Sequence, residues 1–106
     1  MWNANHTQML LTKEVLKSLP PLYAQEEKGL EAVVYVKFFL ESWTWFGTEY
    51  DPETKQMFGF TVSSLCPEGE LGYWDMDELA TVKGRYGNAV ERDAWFKPRT
   101  LAECQI

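Results

Sequence analysis

Histidine and cysteine are scarce in this 106-residue chain, which has one His, His6, and two Cys, Cys66 and Cys104. A Ser/His or Cys/His nucleophile pair would therefore rest on a residue close to the N-terminus, and His6 is read as a solvated tail residue. Neither Cys has a CxxC partner or a neighbouring His, so no zinc ligand set is legible and no metal or other cofactor is expected. Two free thiols in a reducing cytoplasm are the expectation, against a Cys66 to Cys104 bridge that an oxidising compartment would permit. The chain lacks a G-x-S-x-G elbow, a P-loop and a Gly-rich dinucleotide turn. Long apolar runs are lacking too: residues 32–40 form the one candidate, it contains Lys37, and a membrane-spanning helix needs about 20 residues. No basic leader followed by an apolar segment is read at the start, so neither export nor membrane insertion is expected. Basic charge is in deficit, with 10 Lys+Arg against 16 Asp+Glu and a net charge of -6. Such a balance opposes non-specific attachment to nucleic acid or anionic lipid, which is driven by Lys and Arg neutralising phosphates.

Aromatic residues are plentiful, at 15% with five Trp, in a chain that is 45% hydrophobic and 25% charged. Disordered chains lack that aromatic content, and a chain of this length supports one core only. Residues 1–9 are read as a flexible N-terminal extension, and residues 10–106 as a single α+β domain.

Thr12 caps a short helix, with Glu14 at its positive dipole end; Pro20 and Pro21 end it, and Leu16 and Leu19 are expected to dock it on something larger. The polar stretch up to Gly29 reads as a loop anchored by Leu22 and Tyr23. Strands rich in Val, Thr and aromatics follow over 32–40, 43–50 and 57–64, with a fourth over 70–74, in the pattern of an antiparallel meander. Alternation in the first sends Ala32, Val34, Val36, Phe38 and Leu40 to the core face. In the third, Phe58, Phe60 and Val62 share one face and Met57, Gly59 and Thr61 the other. The second is ambiguous, because Phe46 and Tyr50 oppose Trp43, Trp45 and Glu49. Asp75 and Glu78 form a capping box for a second helix that continues through Val82 and that Gly84 closes in a left-handed conformation. A short edge strand within 90–96 and a further capping signature at Thr100 to Glu103 complete the reading: an α+β fold, with a sheet of about four to five strands and two or three short helices packed on it.

Three features bear on chemistry. Glu68, Glu70, Asp75, Asp77 and Glu78 cluster with no Lys or Arg between Lys55 and Lys83, but without the D-x-D-x-D-G spacing of a calcium loop; capping and solvation are the preferred account. Residues 1–82 hold 5 Lys+Arg and 13 Asp+Glu, net -8, whereas residues 83–106 hold 5 against 3, net +2. The three arginines, Arg85, Arg92 and Arg99, all lie in that second part, and the preferred account has them pairing with the acidic cluster to pin the C-terminal segment. Trp43, Trp45, Tyr35 and Trp74 form either a stacking platform, with Gly47, Gly59 and Gly72 leaving shallow ground between them, or plain core. Core is preferred, and exposure of Trp45 decides.

A set of strings in fixed order resembles the bacterial "domain of unknown function 2958" family: Leu10-Leu11-Thr12-Lys13-Glu14, Leu19-Pro20-Pro21-Leu22-Tyr23, Val36-Lys37-Phe38-Phe39, Trp45-Phe46 with Thr48-Glu49-Tyr50-Asp51, Phe58-Gly59-Phe60, Glu70-Leu71-Gly72-Tyr73, Glu78-Leu79, Glu91-Arg92-Asp93 and Phe96-Lys97-Pro98. The resemblance implies a small cytoplasmic protein carried on plasmids, conjugative elements and phages, and no catalytic residues come with it. Glu49, Glu70, Tyr73 and Arg92 lie within these strings and join Trp43, Trp45 and Trp74 as candidate binding residues. Arg92 has an equally good structural reading in ion pairs that register an edge strand, and Gly72 as the mark of a bulge. The expected function is a non-enzymatic protein-interaction module of a mobile-element accessory system, with another protein as partner. Single-stranded nucleic-acid binding through exposed Trp and the C-terminal Arg is the first alternative, though the net charge disfavours it, and a small carboxylate-dependent enzyme is the second. The sequence does not set the oligomeric state.

Overall fold

A computed structural model describes residues 10–104. The proposed extension over residues 1–9 and the reading of His6 lie outside the described residues. Helix α1 (Lys13–Ser18) is capped by Thr12, whose Oγ1 accepts the Val15 N–H at 3.1 Å. Val15 and Leu19 pack on the core together with Leu10 and Leu11, whereas Leu16 stays exposed. Val15 is the helical residue turned to the core, and Leu16, one position on and so rotated by about 100° around the axis, is not; Leu19 docks from the extended C-cap as expected, and the expected docking through Leu16 is corrected.

The apolar run at 32–40 is divided between two sheets. Strand β1 (Val33–Val34) pairs with β7 (Arg99–Thr100), and after Tyr35 the chain continues as β2 (Val36–Leu40). Strands β3 (Trp43–Asp51), β4 (Gln56–Ser63), β5 (Cys66–Asp75) and β6 (Glu91–Arg92) join β2 in an antiparallel five-stranded sheet of order β5-β4-β3-β2-β6. Helices α2 (Met76–Leu79) and α3 (Leu101–Cys104) complete an α+β fold, with two sheets and three short helices among the described residues.

A bulge settles the ambiguity in β3. Gly47 pairs with Gly59 but Glu49 pairs with Phe58, so Thr48 is an extra residue and the alternation reverses after it. Trp43, Trp45 and Tyr50 therefore share one face, and Phe46 and Glu49 the other, which is why six consecutive residues of β3, 45–50, are buried. The first face carries the larger core, with Val36, Phe38, Leu40, Trp45, Tyr50, Met57, Met76, Leu79 and Val90; the second holds a smaller core of Ala32, Val34, Phe46 and Leu101. The five alternating residues expected to be buried in the first run are buried, but they serve two cores.

Strand β5 starts at Cys66, four residues before its expected start, because Gly69, at φ 76, lets the chain bend past Phe60 and keep pairing. Register shifts lie at Gly47/Glu49 and Thr61/Ser63, so Gly72, in plain register with Gly59, marks no bulge. Asp75 caps α2 by accepting the Asp77 and Glu78 N–H groups, yet the helix ends at Leu79 and Gly84 is not its left-handed cap. Gly84 is small for a different reason: a Cβ there would sit 2.5 Å from Glu41 Oε2.

The capping signature at Thr100 forms reciprocally. Thr100 N–H donates to Glu103 Oε1 at 2.8 Å, and Glu103 N–H donates to Thr100 Oγ1 at 3.3 Å. These bonds from Thr100, backbone first and hydroxyl second, hold the Glu103 carboxyl below its ordinary value. A depressed carboxylate contributes stability that is complete at neutral pH and is lost as pH falls through the lowered value. Thr100→Ala is expected to lower the urea midpoint at pH 7, and to lower it by less at pH 3.

Candidate functional site

The turn between β2 and β3 and the loop after α2 enclose a groove of about 370 Å³ lined by Leu40, Glu41, Trp43, Trp45, Val82, Lys83, Gly84 and Arg85. Its aromatic wall follows from strand alternation, which places Trp43 and Trp45 on one face with ring centroids 5.9 Å apart and planes 16° from parallel. Trp45 is 8% exposed and belongs to the core; Trp43 is 36% exposed and forms the open part of the pair. The facing loop is built to reach this place. Lys83 bridges Ala89, Gly84 N–H donates to the Asn88 carbonyl, and Gly87 turns the chain at φ 86. Glu41 then fixes the loop, its Oε2 accepting the Arg85 backbone N–H at 2.6 Å. The outcome is an apolar slot whose charged lining residues are Lys83, Arg85 and Glu41, the last engaged with the Arg85 backbone N–H.

The candidate residues divide between the two sheet faces. Register places Glu70 in line with Thr61 and Trp45, Trp74 beside Met57, and Arg92 opposite Phe38, all on the face of Trp43. Glu49 and Tyr73 flank Phe58 on the other face. Only Trp43 and Trp45 of the set line the groove. Trp74 is half-buried and its indole N–H donates to Met76 Sδ at 3.1 Å. Tyr73 packs edge-on against Phe58 with centroids 4.8 Å apart, and a hydrogen bond with Tyr23 raises its phenol above the ordinary value.

Glu49 is 3% exposed and its carboxylate is engaged with backbone: Oε1 accepts the Tyr23 N–H at 2.7 Å and Oε2 the Gln25 N–H at 2.9 Å. Gln25, also buried, donates through Nε2 to the Val33 and Thr48 carbonyls and accepts the Val33 N–H. The 20–28 loop thus hangs on Gln25 and Glu49, and Tyr23, 61% exposed, does not anchor it through burial as expected. No periodicity or spacing marks Gln25 out beforehand. Lys83 and Arg85 did carry a signal, the change of charge sign at Lys83, but nothing local showed that they would meet Trp43.

The expected shallow ground between the aromatics is filled at two of its three glycines. A Cβ on Gly47 would meet Met57 Sδ at 2.7 Å, and one on Gly59 would collide with the Phe46 carbonyl; only Gly72 faces open space. Nor does the acidic segment sit against all three arginines. Strands β5 and β6 are opposite edges of the sheet, four strand spacings or roughly 19 Å apart. Arg99 pairs with Val34, Arg92 with Phe38, and Arg85 bonds to Glu41, so the arginines follow the line of β1 and β2 and are not gathered in one patch. The C-terminal segment is held by strand pairing, by Leu101 in the smaller core and by a Lys37–Asp93 ion pair at 3.9 Å. Both cysteines are free thiols, and burial pushes Cys104 up against an opposing hydrogen bond from Arg99. Among the described residues no three His, Cys, Asp or Glu side chains converge to hold a metal ion, and no helix is long and apolar enough to cross a membrane.

The model of the family described as "Protein of unknown function (DUF2958)" matches residues 10–103. The chain belongs to this family. Comparison with curated proteins and with solved structures gives no match. For this member of DUF2958, the matched span takes in every described strand, both walls of the groove and the Gln25–Glu49 anchor.

Proposed function

We propose that this protein is a non-enzymatic interaction module that binds another protein, serving as a cytoplasmic accessory factor of a plasmid, phage or conjugative element. The observation that carries the reading is the groove beside Trp43: an apolar slot for one partner side chain, with Lys83 and Arg85 placed to meet carboxylates flanking it. These two cations stand out against a chain of net charge -6, so charge complementarity selects an acidic partner segment with an apolar residue at its centre. Burial of Trp45 and half-burial of Trp74 remove two of the rings expected to stack bases, and the net charge of -6 opposes phosphate attachment, which favours protein over single-stranded nucleic acid as the occupant of the groove.

Cross-linked pull-down from the native host tests this, with wild type run beside Trp43→Ala and a Lys83→Glu/Arg85→Glu double variant. Each is expected to weaken capture of the partner at least tenfold, about 1.4 kcal/mol or more, with the melting temperature kept within a few degrees. A partner retained equally by all three proteins, or no reproducible partner, would remove the groove from consideration.

A further inference from the structure

Strand β5 ends the five-stranded sheet, and β4 is its one strand neighbour among the described residues. An edge strand offers a row of unpaired backbone groups to any extended segment, and natural sheets guard such rows with Pro, bulges, Lys or very short strands. The first part of β5 is guarded in this way by Pro67 and the bend at Gly69. Residues 70–75 are not: they hold no Pro and no Lys, and they keep regular register against β4 from Glu70 opposite Thr61 to Asp75 opposite Gln56. Alternation gives this stretch two unlike faces. Leu71 and Tyr73, 54% and 49% exposed, stand on one, and Glu70, Gly72 and Trp74 on the other. No Lys or Arg occurs between Lys55 and Lys83, while Glu68 and Glu70 are both exposed on this edge.

We propose that the 70–75 edge is a second docking surface, which takes an extended basic segment of another protein as a sixth, β5-paired strand. Backbone hydrogen bonds would hold the segment, apolar residues at alternate positions would cover Leu71 and Tyr73, and a Lys or Arg on the opposite face would meet Glu70. Charge separates this occupant from a second copy of the chain. Antiparallel pairing of two β5 strands brings acidic residues of both copies together, and the sheet's other edge, β6, is only two residues long, Glu91–Arg92, and offers no basic strand of this pattern.

Selection of random dodecapeptides on the immobilised full chain tests the assignment. Sequences alternating Lys or Arg with Val, Ile, Tyr or Phe are expected. Their affinity should fall at least tenfold on Glu70→Lys and stay unchanged on Trp43→Ala, and they should slow amide exchange at alternate residues of 70–75 at least tenfold. Glu70 is exposed, and retention of the wild-type melting temperature confirms a folded variant. The assignment is overturned if no peptide is enriched, if the enriched peptides are acidic, if binding is lost on Trp43→Ala but not on Glu70→Lys, or if the 70–75 amides are already protected in a dimer of the free protein. Failure here leaves the groove at Trp43 untouched, since that is read out by its own variants.

Discussion

Gly59→Ala should lower the stability of the fold by more than about 4 kcal/mol at 25 °C, although it adds a single methyl group. Gly59 lies in β4 directly opposite Gly47 in the middle of the sheet, and the methyl would collide with the Phe46 carbonyl oxygen of the neighbouring strand. The obstacle is backbone, so no rotamer change relieves it, and separating β3 from β4 would disrupt the ladder that carries Trp45 and Phe46 into their two cores. A cost above about 4 kcal/mol, set against a typical total of about 5–15 kcal/mol, removes a large share of the native stability. Gly72→Ala is the matched control. It lies one strand further out in the same register, with nothing within 4 Å of the added carbon, and should be neutral or slightly stabilising. Circular dichroism and proton-NMR dispersion compare the two; a cooperative Gly59→Ala melt within a few degrees of wild type would refute the close approach of the strands.

Glu49→Ala should cost about 3–5 kcal/mol, because it strands the Tyr23 and Gln25 N–H groups that the buried carboxylate accepts. Glu49→Gln is expected to fall between this variant and wild type, at about 2–3 kcal/mol, since its amide keeps one acceptor but turns a donor toward the second N–H. Amide exchange gives the effect a location. Tyr23 and Gln25 should lose protection in Glu49→Gln while Phe38 and Met57, both fully buried, keep theirs. Equal loss across the sheet would mean that Glu49 supports the whole fold and not this loop. The same measurement bears on function, because a carboxylate whose oxygens are both engaged with backbone has little left to offer a ligand.

How much of this was legible in the residues depended on the range of the interaction that decides each feature. Thr12, Asp75 and Thr100 were readable as caps because a cap joins a side chain to an N–H two or three residues on. The buried alternation from Ala32 to Leu40 was readable because period 2 is written into the run. The face assignment in β3 was not, since the extra residue at Thr48 shows itself only when β4 is laid alongside. Likewise the α2 boundary looked set by Gly84, whereas the position is small because Glu41, far off in sequence, lies against it. The groove was half readable: Trp43 and Trp45 follow from alternation, but their meeting with Lys83 and Arg85 comes from a loop whose course no local pattern gives.

The division of one apolar run between two sheets has a kinetic consequence. Strand β2 finds β3 across a two-residue turn, which is quick, but β1 must wait for β7, with Val33 opposite Thr100 almost at the other end of the described chain. Closing so long a loop is slow by comparison with hairpin formation. Hairpins β2 to β5 would therefore assemble first, leaving Val34 and Phe46 uncovered until Leu101 arrives. Refolding should show Trp45 leaving water before the smaller core closes, so that a late phase, slowed by Leu101→Ala, reports the C-terminal segment locking on.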